Sequence, residues 1–430
     1  MNIFRPKALA LATISLALTS CGGEKKTSSD SDANDDIQLP ASIDIASAIG
    51  SVSRINVSEL GKTLTYLPLE TSDTSLLGDD CVFKLTHDKV IVNSKGAGVK
   101  AFSLSDGHYL NTIGHYGQDP EAYTYSSFLL DAGNESLLFS GNGSGRWIRY
   151  ATDGSYLGSF TRVEPLKKRI HPFVLCDTVM VYPIENNITE LNPYLSIAFV
   201  GESGTMIDSI PIFKRVQSEV EHPRITGNIE MESYNALMRH STQNIAGFRI
   251  GSAPMVYQSS VGLLWRVGAG PIHAMMPFTD TIYEVAAGHQ PIPVAVVDFG
   301  GKGFPAAKNG IREMSDDEYM LTDLIETDSK IVFGISRGWK KANTGLIGYY
   351  DKASNTTRLT HAADGFTDDL TDFMPFYPVT AGPDGSLTGL LTQEDIAKWM
   401  EEHPDAKVPE ALQAIVDSEE EPNPVLVIVK

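Results

Sequence analysis

Val99-Lys-Ala-Phe-Ser-Leu-Ser-Asp106-Gly107-His-Tyr-Leu110 and Trp147-Ile-Arg-Tyr-Ala-Thr-Asp153-Gly154-Ser-Tyr-Leu157 share one pattern, with Gly107 and Gly154 separated by 47 residues. Each is an apolar-alternating run, a Ser/Thr-x-Gly or Asp-Gly turn, and a second run. Asp-Gly supplies the positive-φ position that a tight hairpin needs. A looser third copy, Ile197-Ala-Phe-Val-Gly-Glu-Ser203-Gly204-Thr-Met-Ile207, follows with its glycine 50 residues further on. Two later units fit less closely: Ile282-Tyr-Glu-Val-Ala-Ala-Gly288 and Leu346-Ile-Gly-Tyr-Tyr-Asp351-Lys-Ala-Ser-Asn355. A period of this size built from short antiparallel strands indicates a β-propeller. A four-stranded blade cannot bury both faces alone, so the blades must close into a ring.

Around these units the chain is dominated by other short β-type runs, among them Leu64-Thr-Tyr-Leu-Pro-Leu69, Lys89-Val-Ile-Val92, Leu137-Leu-Phe139, Val179-Met-Val-Tyr182, Ile331-Val-Phe333 and Val425-Leu-Val-Ile-Val429. Gly, Asn, Asp and Ser bound them, as expected of strands. The run 425–429 is expected to close the ring by joining the sheet that holds 64–69. Two segments interrupt the period. Residues 213–245 read as a helical insertion around Glu230 to Arg239, and 392–417 as a second. There Thr392 is the expected N-cap with Glu394 and Asp395 in the first turn, and Pro409 opens a further short helix. Asp316-Asp-Glu318 and Asp368-Asp369 read as solvated turns rather than catalytic pairs, because neighbours on a strand point to opposite faces.

The N-terminus reads as an address. Arg5 and Lys7 precede an apolar run from Ala8 to Leu18, which ends in Leu18-Thr19-Ser20-Cys21. This is a secretory leader too short to span a bilayer, followed by a lipobox in which the Cys21 thiol would carry a lipid. Residues 1–20 are the expected signal peptide. Residues 21–36 are the lipidated cysteine and a flexible tether, since GGEKKTSSDSDANDD has no large apolar side chain to bury. Residues 37–430 are the folded body. The expected location is the cell envelope, with the chain anchored to the outer membrane through Cys21, periplasmic or surface-exposed. The remaining cysteines, Cys81 and Cys176, leave both a disulfide and two thiols open.

Several of these segments, in this order, resemble the six-bladed β-propeller lipoproteins common in Bacteroidetes. They are Leu64-Thr-Tyr-Leu-Pro-Leu-Glu70-Thr71 with Leu77-Gly78, Ile113-Gly-His-Tyr-Gly-Gln-Asp-Pro-Glu121-Ala-Tyr123, Phe278-Thr-Asp-Thr-Ile-Tyr283, Val297-Asp-Phe-Gly300, Asp368-Asp-Leu370 with Phe376-Tyr-Pro378, and Asn423-Pro-Val-Leu-Val427. Asp119 stands where that family's Gly-rich loop usually has Gly. Five units are visible in the repeat, and the resemblance implies six. The expected fold is therefore all-β: a six-bladed propeller of four-stranded antiparallel blades with short helical insertions. The family is largely without assigned activity, so the resemblance implies fold and location.

Composition and motifs narrow the function less. With 34 Lys plus Arg against 54 Asp plus Glu, the formal charge of −20 argues against a nucleic-acid partner, which needs clustered positive charge. The chain has no His-Glu-x-x-His, Cys-x-x-Cys, Gly-x-Ser-x-Gly or P-loop signature, so no catalytic residue, metal or cofactor is assigned. Arg and Trp occur together three times, at Arg146-Trp147, Trp265-Arg266 and Arg337-Gly-Trp339, with Tyr116 and Tyr123 near the Gly-rich loop. Trp faces stack on sugar rings and Arg forks onto carboxylate or phosphate, so these eight residues are the candidate site for an anionic or sugar-like ligand. The competing reading is that the Trp side chains pack between blades. The expected role is a lipid-anchored binding or scaffold module for a glycan, peptide or envelope protein. The alternative is a propeller-type hydrolase or lyase with its site at the central channel.

Overall fold

The computed structural model describes residues 40–430 except 79–80, 132, 142–145, 162–173, 177–178, 186–193, 202, 212–224, 230–244, 251–252, 259–263, 276–278, 304–314, 316 and 338–344. The expected signal peptide, Cys21 and the expected tether lie outside the described residues.

Six four-stranded antiparallel sheets follow one another along the chain as the blades of a propeller. Blade 1 comprises Val82–Leu85, Lys89–Ser94, Gly98–Ser103 and Tyr109–Thr112; blade 2 comprises Tyr123–Asp131, Ser136–Gly141, Arg146–Ala151 and Tyr156–Thr161. Blade 3 comprises Val174–Cys176, Val179–Glu185, Tyr194–Gly201 and Met206–Ile210; blade 4 comprises Leu264–Arg266, Ile272–Ala274, Thr281–Val285 and Ile292–Asp298. Blade 5 comprises Tyr319–Glu326, Lys330–Arg337, Leu346–Asp351 and Thr356–His361. Blade 6 takes Pro378–Ala381, Leu387–Leu391 and Val425–Val429 from the end of the chain and Leu64–Pro68 from its start.

The quoted repeat units are the hairpins joining the third and fourth strands of blades 1 to 5. Each carries a left-handed residue at the same place: Gly107 (φ 75°), Gly154 (φ 89°), Gly204 (φ 76°), Gly288 (φ 77°) and Asn355 (φ 54°). In blade 6 that hairpin does not exist, because the third and fourth strands come from opposite ends of the chain. Leu64 pairs with Val429 and Pro68 with Val425, antiparallel and without a bulge.

Alternation along the strands accounts for the packing. Leu426 and Ile428 face Phe83, Val90 and Val92 of blade 1, whereas Val425, Val427 and Val429 face Val332 and Ile347 of blade 5. The same division recurs around the ring, giving six apolar clusters among the described residues, one at each junction of neighbouring blades. All five residues of Val425–Val429 are buried. At roughly 1.5–3 kcal/mol per buried aliphatic side chain, that strand contributes on the order of 10 kcal/mol, an upper figure because the unfolded chain already buries some of this surface.

The junction is reinforced beside the strands. The buried Asn423 side chain accepts from Leu77 N at 2.7 Å and donates to the carbonyls of Glu70 and Ser75 at 2.6 and 3.0 Å. Glu70 accepts from Tyr109 N at 3.0 Å, and its own N–H donates to Gly107 O at 2.9 Å. The hairpin between the third and fourth strands of blade 1 therefore docks beside the outermost strand of blade 6.

Two features depart from the repeat. Ala41–Asp44 adds a fifth, parallel strand to blade 4 beside Ile292–Asp298. The chain then crosses blade 5 through the helix Ile45–Ile49, capped by Asp44 Oδ1 on Ser47 N at 2.8 Å, and reaches blade 6. Ile43, Ile45 and Ala48 sink into the core between blades 4 and 5, and Glu59 is paired with Arg358 of blade 5. Between blades 3 and 4 lies a three-stranded sheet of Ile225–Ile229, Ile245–Ile250 and Ala253–Gln258. The insertion around 213–245 thus contributes strands, while its expected helix at 230–239 lies outside the described residues. The second insertion is helical as expected: Gln393–Glu402 begins on a capping box between Thr392 and Asp395, and Gln413–Val416 follows.

Asp368 is not a solvated turn residue. It is buried, and its carboxylate accepts from Leu370 N, Thr371 N and Phe373 N at 3.0, 2.8 and 3.3 Å, and from Tyr66 Oη at 3.3 Å, tying the 368–373 turn to the closing strand. Asp369 points the other way and accepts from Ser58 N at 2.9 Å.

Two substitutions test this closure. A Cβ on Gly107 would lie 2.0 Å from Pro68 O, whereas one on Gly288 meets nothing within 4 Å at nearly the same φ. Gly288→Ala should cost about 1 kcal/mol, the left-handed penalty alone, and Gly107→Ala distinctly more in urea unfolding. Asn423→Ala strands buried backbone groups and should cost about 2–4 kcal/mol in the same assay. An unchanged unfolding midpoint for Asn423→Ala would show that the junction does not depend on it.

Candidate functional site

The innermost strands of the six blades surround a central cavity of about 590 Å³. Its wall includes residues from every blade: Lys84 and His87 from blade 1, Leu130 from blade 2, Val174 from blade 3, Trp265 and Arg266 from blade 4, Glu326 from blade 5 and Thr380 from blade 6. Several of these stand at the ends of the innermost strands, where the chain enters the first hairpin of the blade. Ligand pockets commonly span about 300–1,000 Å³, so this cavity can admit a small polar molecule or the end of a chain.

Glu326 ends the first strand of blade 5 and is 7% exposed. Its Oε2 accepts from Trp265 Nε1 at 2.7 Å and lies 2.8 Å from His273 Nδ1, and its Oε1 lies 2.7 Å from Lys352 Nζ. Lys352 also donates to Thr327 O at 2.7 Å. Burial, the largest single influence, pushes the Glu326 carboxyl upward. The hydrogen bond and charge of His273, with Lys352, outweigh it and hold the group below its ordinary value. This cluster joins blades 4 and 5 and fixes the Trp265 ring, which meets His273 edge-on at 6.0 Å. Arg266 donates from Nη2 to Ala269 O at 2.9 Å and from Nε to Gly270 O at 3.3 Å, so it bends over its own turn.

Lys84 occupies the middle of the short first strand of blade 1, between Phe83 and Leu85, and its Nζ sits 5.8 Å from the centroid of the Phe128 ring. It retains contact with the cavity but is walled by protein, and this desolvation lowers its pKa from the usual lysine value. Among the described residues no three His, Cys, Asp or Glu side chains converge in a metal-ligating group.

The structure disperses the eight residues singled out from sequence. Trp265 and Arg266 reach the channel. Trp147, 3% exposed, packs between blades 2 and 3 against Leu175, Met180 and Tyr182, and Tyr123 is buried between blades 1 and 2, stacked on Phe139 at 4.7 Å. Both rings therefore belong to the core rather than to an open face, because inward alternation on blade 2 requires large apolar groups there. Arg146 bonds Ser159 Oγ at 2.8 Å, and Arg337 pairs with Asp317 at 3.1 Å over the Tyr319 ring, each on its own blade. Tyr116 is exposed beside Tyr123. Trp339 lies outside the described residues. Cys81 Sγ donates to Gly78 O at 3.1 Å, and the Cys176 side chain lies outside the described residues. In the Gly-rich loop, Asp119 takes over the work of a flexible residue by accepting from Glu121 N and Ala122 N at 2.9 and 3.1 Å and from His115 Nε2 at 2.8 Å.

Sequence reasoning missed Lys84, Glu326, His273 and Lys352. The available signal was a charge inside an innermost strand: Lys84 as the one charge of Val-Phe-Lys-Leu, and Glu326 after Leu324-Ile325 in a strand that also carries Asp323.

Residues 40–430 match the family described as a domain of unknown function, DUF4934. The chain belongs to that family. Among solved structures, this DUF4934 chain is similar to a protein of Bacteroides fragilis NCTC 9343 whose name classes it with exported proteins. They share 18% identity over 91% of this chain and 99% of the other, with a TM-score of 0.60. A DUF4221 member from Bacteroides vulgatus ATCC 8482 is 10% identical over 86% and 96% of the two chains, with a TM-score of 0.40. At 18% identity the likeness to the Bacteroides fragilis protein concerns the fold. No curated protein matches the DUF4934 sequence.

Glu326→Gln should cost about 3–5 kcal/mol, since it leaves Lys352 and His273 facing a neutral group. Because the folded carboxyl titrates below the unfolded one, its contribution is present above the unfolded pKa of about 4.5 and is lost as pH falls through the lower folded value. Urea titrations from pH 7 to pH 3 should show the gap between wild type and Glu326→Gln narrowing toward acid. A constant gap would show that Glu326 is not held ionised by its partners.

Proposed function

We propose that this DUF4934 chain is a lipid-anchored module of the bacterial cell envelope that binds a ligand in the central channel of its propeller. The observation that carries the reading is the channel, which is lined from all six blades and has an aromatic residue, Trp265, and a cation, Arg266, in its wall. A rigid ring that places such a pair at one cavity suits recognition of a small polar molecule, or of the terminus of a glycan or peptide. The one described carboxylate in the wall, Glu326, has both oxygens engaged by protein groups. A general acid or base must reach the ligand, so this arrangement supports binding over turnover.

The envelope location is supported by the Arg5 to Cys21 leader pattern and by similarity to a Bacteroides protein named as exported. The described residues contain no helix long and apolar enough to cross a membrane, and a lipid on Cys21 would supply the anchor.

Capture of small ligands from an envelope extract, followed by mass spectrometry, tests the channel. Trp265→Ala and Arg266→Ala should each weaken retention at least tenfold, while Trp147→Ala should destabilise the fold by about 3–5 kcal/mol without changing what the folded fraction retains. Equal retention by all three variants would remove the channel as the site. For the anchor, Cys21→Ser expressed with its leader should move the protein from the membrane to the soluble fraction. Unchanged membrane retention would rule out lipidation at this cysteine.

A further inference from the structure

The channel charges have an imbalance that the chain as a whole does not share. The protein carries a formal charge of −20, yet the carboxylate in the described channel wall, Glu326, is already matched by His273 and Lys352. Two cations in the same wall lack such a match. Arg266 spends two of its N–H groups on carbonyls of its own turn and has no described carboxylate partner. Among the described residues Lys84 has no hydrogen bond or ion pair at all, and its one described polar contact is the face of Phe128. An ammonium group is strongly hydrated, and holding one inside a protein without an anion is costly. Apolar residues would fill the position at lower cost, as Phe83 and Leu85 do on either side.

We propose that the channel binds a small carboxylate-bearing anion, with Lys84 and Arg266 as the cations of its wall. This rests on the channel being the ligand site and adds the class of ligand. The other titratable groups facing the cavity are Cys81 and His87 on the same blade, Arg266 on blade 4 and Glu326 on blade 5. Among the described residues none of them is ion-paired with Lys84, so an incoming anion would supply a partner. Trp265, held edge-on to His273 and bonded to Glu326, offers its ring to the remainder of the ligand. A sugar acid matches both demands, with a carboxylate for the cations and a ring face for the indole.

The test is calorimetric titration of the protein at pH 8 with D-galacturonate, D-galactose and inorganic phosphate. Galacturonate should bind at least tenfold more tightly than galactose. Lys84→Met should weaken galacturonate binding at least tenfold and leave galactose binding unchanged. Its melting temperature should equal or exceed that of wild type, since an amine with no described ion pair has been replaced by an apolar chain of similar length. Lys84→Arg should retain the preference for galacturonate, because guanidinium keeps the charge. Phosphate bound with the same dependence on Lys84 would show that charge alone suffices, and weaker phosphate binding would show the ring contact at work; both support the anion site. Equal binding of galactose and galacturonate, no binding of either anion, or galacturonate binding that survives Lys84→Met would overturn it. Should extract ligands still depend on Trp265 but not on Lys84, the channel remains a binding site and the anion assignment falls.

Discussion

Everything in this fold depends on the antiparallel pairing of Leu64–Pro68 with Val425–Val429. Blades 1 to 5 are each continuous in sequence, so their four strands are joined by local turns whose closure is entropically cheap. Blade 6 has no such link. Its outermost strand lies more than 350 residues from the strand it pairs with, and only hydrogen bonds and side-chain burial hold it there. The strand Val425–Val429 is buried on both faces because it serves two blade junctions at once. Losing it would open the ring between blades 6 and 1 and leave two sheet faces in water, with their strand edges available for pairing with other chains. The Asn423 contacts and the docking of Gly107 against Pro68 act on this same seam.

The course of the N-terminal segment shows the same constraint at a second level. Before it enters blade 6, the chain adds a parallel strand to blade 4 and buries Ile43 and Ile45 between blades 4 and 5. Ser58 and Glu59 then bind Asp369 and Arg358 on the way to blade 6. The seam is therefore secured by a segment that touches three consecutive blades. Such a segment couples closure to the stability of blades 4 and 5.

The ring was legible in the sequence for a physical reason that also limits the reading. A third-to-fourth-strand hairpin demands a left-handed residue, and few residue types supply one, so Asp-Gly, Ser-Gly and Asn leave marks at a regular period. Five marks were visible because five hairpins exist. The sixth blade is silent at that position because the ring is closed there by two chain ends instead of a turn. The final strand could still be assigned, since an uninterrupted Val-Leu-Val-Ile-Val run is what a strand buried on both faces requires. The strap to blade 4 left no comparable mark. Ala41–Asp44 is four residues long, and its parallel partner is about 250 residues away in the chain.

The site was far less legible, because its residues come from separate blades and no spacing rule links them. Reasoning from Arg-Trp pairs assumed that similar dipeptides share a face, but adjacent residues on a strand point to opposite sides. Trp147 therefore went to a junction, and the functional weight shifted to strand ends. What marks Lys84 and Glu326 is their energetic inconsistency with the innermost strands that carry them. A charge taken from water is expensive, and the structure treats the buried Glu326 and the half-buried Lys84 differently. Glu326 is compensated from within by Trp265, His273 and Lys352, which makes it a fixed part of the wall. Lys84 is compensated by nothing in the described structure except an aromatic face. The anion proposed for the channel would balance it from the cavity side.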